Sequence, residues 1–128
     1  MMKMSQADLA DRITILELKL KEGLPVYAEL SLYLWECEAP AELVDQLRAV
    51  NADGWHWVGI ITDHFEGRRC VPDDILLNAC RLAHDSNKAR IALKNEISRA
   101  FGDCIESKTW AGANDGSSVR TGEVSANA

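Results

Sequence analysis

Four side chains in this sequence have the types and the spacing to handle charge: Glu17 near the start, and Asn87, Arg90 and Lys94 towards the end. A guanidinium and an ammonium four residues apart share one face of a helix, and an amide three residues before the guanidinium lies beside them. Such a face can receive a phosphate, a carboxylate or a nucleotide, with Glu17 orienting the cations. The same residues can instead form a buried salt-bridge network that fixes the register of two helices. Asp11 is a secondary member of the set.

Two further constellations bear on metals. Cys80-x-x-x-His84 has a sound i, i+4 spacing for zinc, with His64 and Cys70 as the residues that would close a tetrahedral site. A second short-spaced ligand pair is missing, however. His56, His64, His84-Asp85 and Asp103 superficially resemble a metal phosphohydrolase set, but consecutive residues of a helix point to different sides of it. No bound metal or other cofactor is expected. The chain also lacks a Gly-rich phosphate loop, a Ser or Cys nucleophile signature and a His-Glu-x-x-His motif. Glu36-x-Glu38 and Glu42-x-x-Asp45 do not reproduce the paired carboxylate helices of all-α nucleotide pyrophosphatases. No catalytic residue is therefore nominated.

The elements that would carry these residues are helical. From Pro72 to Gly102 the chain predicts one long helix, with Ile75, Ala79, Leu82, Ser86, Ala89, Leu93, Ile97 and Ala100 on a narrow stripe. Asn87, Arg90 and Lys94 fall on the arc of Ala83 and Phe101, so they should be partly buried and need partners. Ser5 to Asp8 has the form of a capping box, opening a helix that runs to about Lys21 before Gly23 and Pro25. Pro25 is placed to open a second helix, with Val26, Leu30, Tyr33, Leu34 and Cys37 inward. Pro40 is placed to open a third, whose stripe is Leu43, Leu47, Val50, Gly54, Trp57, Ile61 and Phe65. Gly54 and Gly59 weaken that helix by about 1 kcal/mol each, which marks the segment around them for a kink or a break. Trp55 and Trp57 cannot both face one core from one helix, so one of them is expected at an oligomer interface or a ligand surface, or else laid over the side of the bundle. From Ala111 onward there is almost nothing to bury, and residues 111–128 are expected to be a disordered tail after a bundle domain of residues 1–110.

LADRITILELKL near the start, LRAVNADGW in the middle, and N-x-x-R-x-x-L-K-x-x-I-S followed by G-D-x-x-x-x-K-T-W near the end resemble an uncharacterised helical family of bacteria and phages. That family has a D-K-I-T-I-L-E-I-K-like first helix, a V-N-x-x-L-W segment and an N-D-x-R-x-x-I-K-x-x-I-N ending that leads to E-K-S-Y. The resemblance covers most of residues 8 to 110 and implies an all-α antiparallel arrangement. It brings no established activity, although members often lie near sugar-transfer genes. Carried over by position, its polar residues are Asp11, Thr14, Glu17 and Lys19, then Asn51 and Trp55, then Asn87, Arg90 and Lys94. Val58-Gly59 stand where the family tends to carry an acidic pair.

With 128 residues the chain is one domain by length, and 14 basic against 20 acidic residues give a net charge of −6. That balance argues against nucleic acid or an anionic membrane as partner. The sequence lacks the apolar core of a signal peptide and a run long enough to span a bilayer, so a cytoplasmic protein is expected. Its four cysteines have no C-x-x-C pair and are read as buried small hydrophobes or free thiols. The expected architecture is an all-α antiparallel bundle of about four helices with a long C-terminal helix. The leading functional expectation is a small non-enzymatic binding or accessory protein that forms a homo-oligomer. The alternative is a receiver that binds or sequesters a phosphorylated ligand, a nucleotide or sugar nucleotide, as a phage-type nucleotide sponge would. A metal-dependent hydrolase is the third.

Overall fold

The computed structural model describes residues 4–103 and 105. They form four helices, α1 (Gln6–Lys21), α2 (Tyr27–Glu36), α3 (Ala41–Phe65) and α4 (Asp73–Phe101), with no strand among the described residues. Residues 111–128, expected to be a tail, lie outside the described residues.

The helix ends follow local chemistry. The Ser5 hydroxyl accepts the Asp8 N–H at 3.1 Å and so occupies one of the orphan donors of the first turn. At the other end of the chain Gly102 turns left-handed, with φ 69°. Its N–H bonds the Arg99 carbonyl and the Asp103 N–H bonds the Ser98 carbonyl, the Schellman arrangement that needs a residue free of a Cβ. Two expected boundaries shift. Helix α2 begins at Tyr27 with Val26 in the N-cap position rather than at Pro25, and Pro40 caps α3 rather than entering it.

No break occurs in α3, which runs 25 residues through Gly54 and Gly59. Tertiary packing outweighs the poor propensity of glycine here. A Cβ built on Gly54 would stand 3.4 Å from the Ser86 Cβ, so the missing side chain lets α3 and α4 approach closely.

Three apolar clusters tie the helices together. Ala7, Ala10, Leu47, Leu93 and Ile97 join α1, α3 and α4. Ile13, Leu16 and Leu30 hold α2 to α1. Ile60, Val71 and Ala79 close the far end of the α3–α4 pair without any contribution from α1 or α2. The α3–α4 contact is the most extensive in the molecule, and α2 packs chiefly on α1. Several side chains assigned inward by periodicity are instead exposed: Leu34 at 52%, Ile75 at 48% and Phe65 at 73%. Among the described residues, each sits on a stretch of helix that no third helix covers. Among the described residues no helix is long and apolar enough to cross a membrane.

Candidate functional site

Asp11 of α1 is the hub of the polar residues between the helices. Its carboxylate receives Arg90 in a two-pronged contact, with Nε donating to Oδ1 at 2.9 Å and Nη2 to Oδ2 at 2.7 Å. The Asn51 amide of α3 donates to the same Oδ1 at 2.9 Å and to the Thr14 hydroxyl oxygen at 2.7 Å. The Thr14 hydroxyl in turn donates to the Asp11 carbonyl at 2.8 Å, and Arg90 Nη1 donates to the Asn87 amide oxygen at 3.1 Å. Asp11, Thr14 and Asn51 are buried, which such groups tolerate only when their hydrogen bonds are met. One network thus links α1, α3 and α4.

Burial alone would raise the Asp11 pKa, but the hydrogen bonds from Arg90 and Asn51 and the charges of Arg90 and Lys94 outweigh it. The carboxyl titrates below its ordinary value of 3.8. Lys94, itself buried, meets Asp8 at 3.0 Å one turn nearer the start of α1. The cations of α4 are therefore received by acids of α1, as their position on the apolar arc requires.

Glu17 is used differently from the expectation. Its carboxylate accepts Arg48 Nε of α3 at 2.7 Å and Nη2 at 3.3 Å. This hydrogen bond raises the Arg48 pKa, against the opposing effect of burial. The acids that meet Arg90 and Lys94 are Asp11 and Asp8, and Glu17 lies about 120° round α1 from Asp11 at about 100° per residue. Of the candidate set, the structure joins Asn87 and Arg90 directly, places Lys94 in the next pair along, and puts Glu17 in an α1–α3 pair. Periodicity alone misses Arg48 and Asp8. A turn-by-turn match would have found Asp8: Asp11 and Asp8 are one turn apart on α1, as Arg90 and Lys94 are on α4.

Beside the network lies a cavity of about 200 Å³, lined by Ile15, Val50, Trp55, Val58 and Ala83 together with Asn51, Asn87 and Arg90. Trp55 is half-buried there, and its indole N–H donates to Glu22 at 2.7 Å. Trp57 faces elsewhere, against the Ile60 cluster, with its indole N–H on Asp53 at 3.2 Å. Among the described residues the tryptophan standing furthest into solvent is Trp35, 88% exposed on α2.

The metal candidates do not assemble. Cys70, Cys80 and His84 are exposed, and the Nδ1 of His64 accepts the Val71 N–H at 3.2 Å, tying down the α3–α4 loop. Among the described residues no group of three or more His, Cys, Asp or Glu side chains is placed to hold a metal ion. No family model, curated protein or solved structure matches the chain.

Proposed function

We propose that this chain is a small non-enzymatic helical binding or accessory protein that works in association with copies of itself. The observation that carries the reading is a division of labour among side chains. The cations of the candidate site are matched by acids of α1, while large apolar groups stand outside: Trp35 at 88%, Phe65 at 73%, Leu77 at 72% and Tyr27 at 69% exposure. Exposed apolar side chains of that size are candidate points of contact for a partner. An antiparallel course belongs to the proposal. It is supported by Gln6, at the start of α1, whose side chain bonds the backbone of Glu36 and Glu38 at the end of α2. A cytoplasmic setting and kinship with the helical family of the sequence motifs complete it. Sedimentation equilibrium of the full chain from about 5 to 500 µM tests it, a range that covers even small interfaces. Reversible association is expected, and a strict monomer throughout would overturn the reading.

A second reading, a receiver for a phosphorylated ligand such as a nucleotide or sugar nucleotide, is favoured by the cavity with Arg90 and Asn87 in its wall. Against it, the two-pronged Asp11 contact already neutralises that guanidinium. Thermal-shift screening against nucleotides and sugar phosphates separates the two. A shift that disappears in Asn87→Ala supports the receiver, and no shift leaves the network as a device for holding helices in register.

A further inference from the structure

The cavity beside the Asp11 network measures about 200 Å³. Close-packed interiors leave few voids larger than a water molecule, and an apolar cavity of about 150 Å³ is already enough to take up benzene. There is room here for one ring or two fused rings. The space exists because the lining is short where the two long helices face each other: Gly54 has no side chain and Ala83 only a methyl group. Ile15, Val50 and Val58 add aliphatic surface, and Trp55 an aromatic wall. That wall is tethered, since the Trp55 indole N–H donates to Glu22 at 2.7 Å.

The polar groups of the lining differ in what they have left to offer. The Asn51 amide donates to Asp11 and to Thr14, and the Ser86 hydroxyl donates to Asp53 at 2.8 Å. Arg90 is engaged through Nε and Nη2 with Asp11 and through Nη1 with Asn87. Asn87 alone keeps a donor in reserve. Its amide oxygen accepts Arg90 Nη1 at 3.1 Å, which settles which end of the amide is oxygen, and among the described residues its Nδ2 meets no acceptor.

Charge narrows the choice of ligand. A cation would meet Arg90 and no carboxylate in the lining. An anion would have to compete with Asp11 for that guanidinium, on a chain whose net charge is −6. A neutral molecule meets neither obstacle. We propose that the cavity binds a neutral, flat heteroaromatic ligand of one or two rings, which packs on the Trp55 indole and accepts a hydrogen bond from Asn87 Nδ2 through a ring nitrogen or carbonyl oxygen. Arg90 is then a positioning residue, holding the Asn87 amide without touching the ligand. The proposal is independent of self-association, because every residue it uses belongs to one chain. It differs from a receiver of phosphorylated compounds in the charge of the ligand.

The experiment follows the amide and indole N–H signals of the full chain by NMR during titration with quinoline, a fused two-ring compound with one nitrogen acceptor that is uncharged at neutral pH. Quinaldate, the same ring system bearing a carboxylate, is the charged counterpart. The parent is compared with Asn87→Asp, Ala83→Leu and Ala92→Leu. Asn87→Asp keeps the oxygen that Arg90 bonds and removes the unengaged N–H, Ala83→Leu fills the space, and Ala92→Leu puts the same side chain on an exposed position of α4 outside the lining. Circular dichroism checks that each variant is folded.

The expected result is a saturable shift of the Trp55 indole signal, with a dissociation constant of about 0.1 to 1 mM for a ligand of about ten heavy atoms. Binding should weaken about fivefold in Asn87→Asp and about tenfold or more in Ala83→Leu, and stay unchanged in Ala92→Leu. Quinaldate should bind about tenfold more weakly than quinoline. No saturable shift at Trp55, or undiminished binding by Ala83→Leu, overturns the site. Undiminished binding by Asn87→Asp overturns the hydrogen bond that defines the ligand class. Quinaldate binding as tightly as quinoline overturns the preference for a neutral ligand and returns the cavity to the receiver reading.

Discussion

The two ends of the α3–α4 pair solve the same packing problem differently. At the near end α1 lies across both helices, and a buried carboxylate, Asp11, is met from α3 by Asn51 and from α4 by Arg90. At the far end Ile60, Ala79 and the loop residue Val71 form the buried cluster, and charged pairs such as Arg81–Asp85 stay in water. A polar group drawn inside must have its partners in one geometry, so the near end specifies a unique register at the risk of a large penalty if a partner is lost. The far end specifies little and risks little.

The sharpest contrast comes from removing one acid at each end. Asp11→Ala leaves Arg90 and the Asn51 amide without their acceptor and should cost about 3–5 kcal/mol in urea denaturation. Asp85→Ala breaks an exposed i, i+4 pair. It should cost no more than about 0.5 kcal/mol. Comparable losses would show that Asp11 is not the hub the geometry makes it. Apolar truncation should follow the same order with a smaller gap. Leu47 is fully buried between three helices, whereas Ile60 is covered from fewer sides. Leu47→Ala is therefore expected to lose about 3–4 kcal/mol and Ile60→Ala about 2 kcal/mol.

The near end is readable from residues because its rules are local. The Ser5 cap, the Gly102 stop and the placement of Arg90 and Lys94 on an apolar arc each follow from a single helix. What periodicity cannot supply is which neighbour covers a given turn. Leu34, Ile75 and Phe65 have the spacing of core residues, yet α2 packs chiefly on α1 and, among the described residues, the far half of the α3–α4 pair has no third helix. For the same reason the sequence alone matches Glu17 with the wrong cations. Its rotation about α1 is fixed by the sequence, but whether α3 or α4 lies on that side is a property of the assembly. The continuity of α3 through Gly54 belongs here too, because the contact with Ser86 that makes glycine useful is made by residues far apart in the chain.

Acid should act on the near end first. Asp11 has its folded pKa below the ordinary 3.8. Its network therefore contributes fully above about pH 5, where the unfolded chain is also ionised, and the contribution fades as pH falls through the folded value. Asp11→Asn removes this ionisation while keeping the shape. The difference in stability between parent and Asp11→Asn should therefore be constant from about pH 6 upward and shrink steadily below about pH 4. A difference that stays flat down to about pH 2 would place the worth of Asp11 in its shape and not in its charge.

The smallest effect separates the two glycines of α3. In a helix interior alanine is favoured over glycine by about 1 kcal/mol. At Gly59 an added Cβ meets nothing within 4 Å. Gly59→Ala should gain about that full amount. At Gly54 the same Cβ comes to 3.4 Å from Ser86, whose hydroxyl is engaged with Asp53 at 2.8 Å. Part of the propensity gain is lost there to pushing α3 off α4, and Gly54→Ala should stabilise by less than half as much as Gly59→Ala. An equal gain at both sites would mean that the near half of the pair yields as readily as the far half. The rigidity ascribed to the end that α1 covers would then have to come from the Asp11 network alone, and not from close contact of the two long helices.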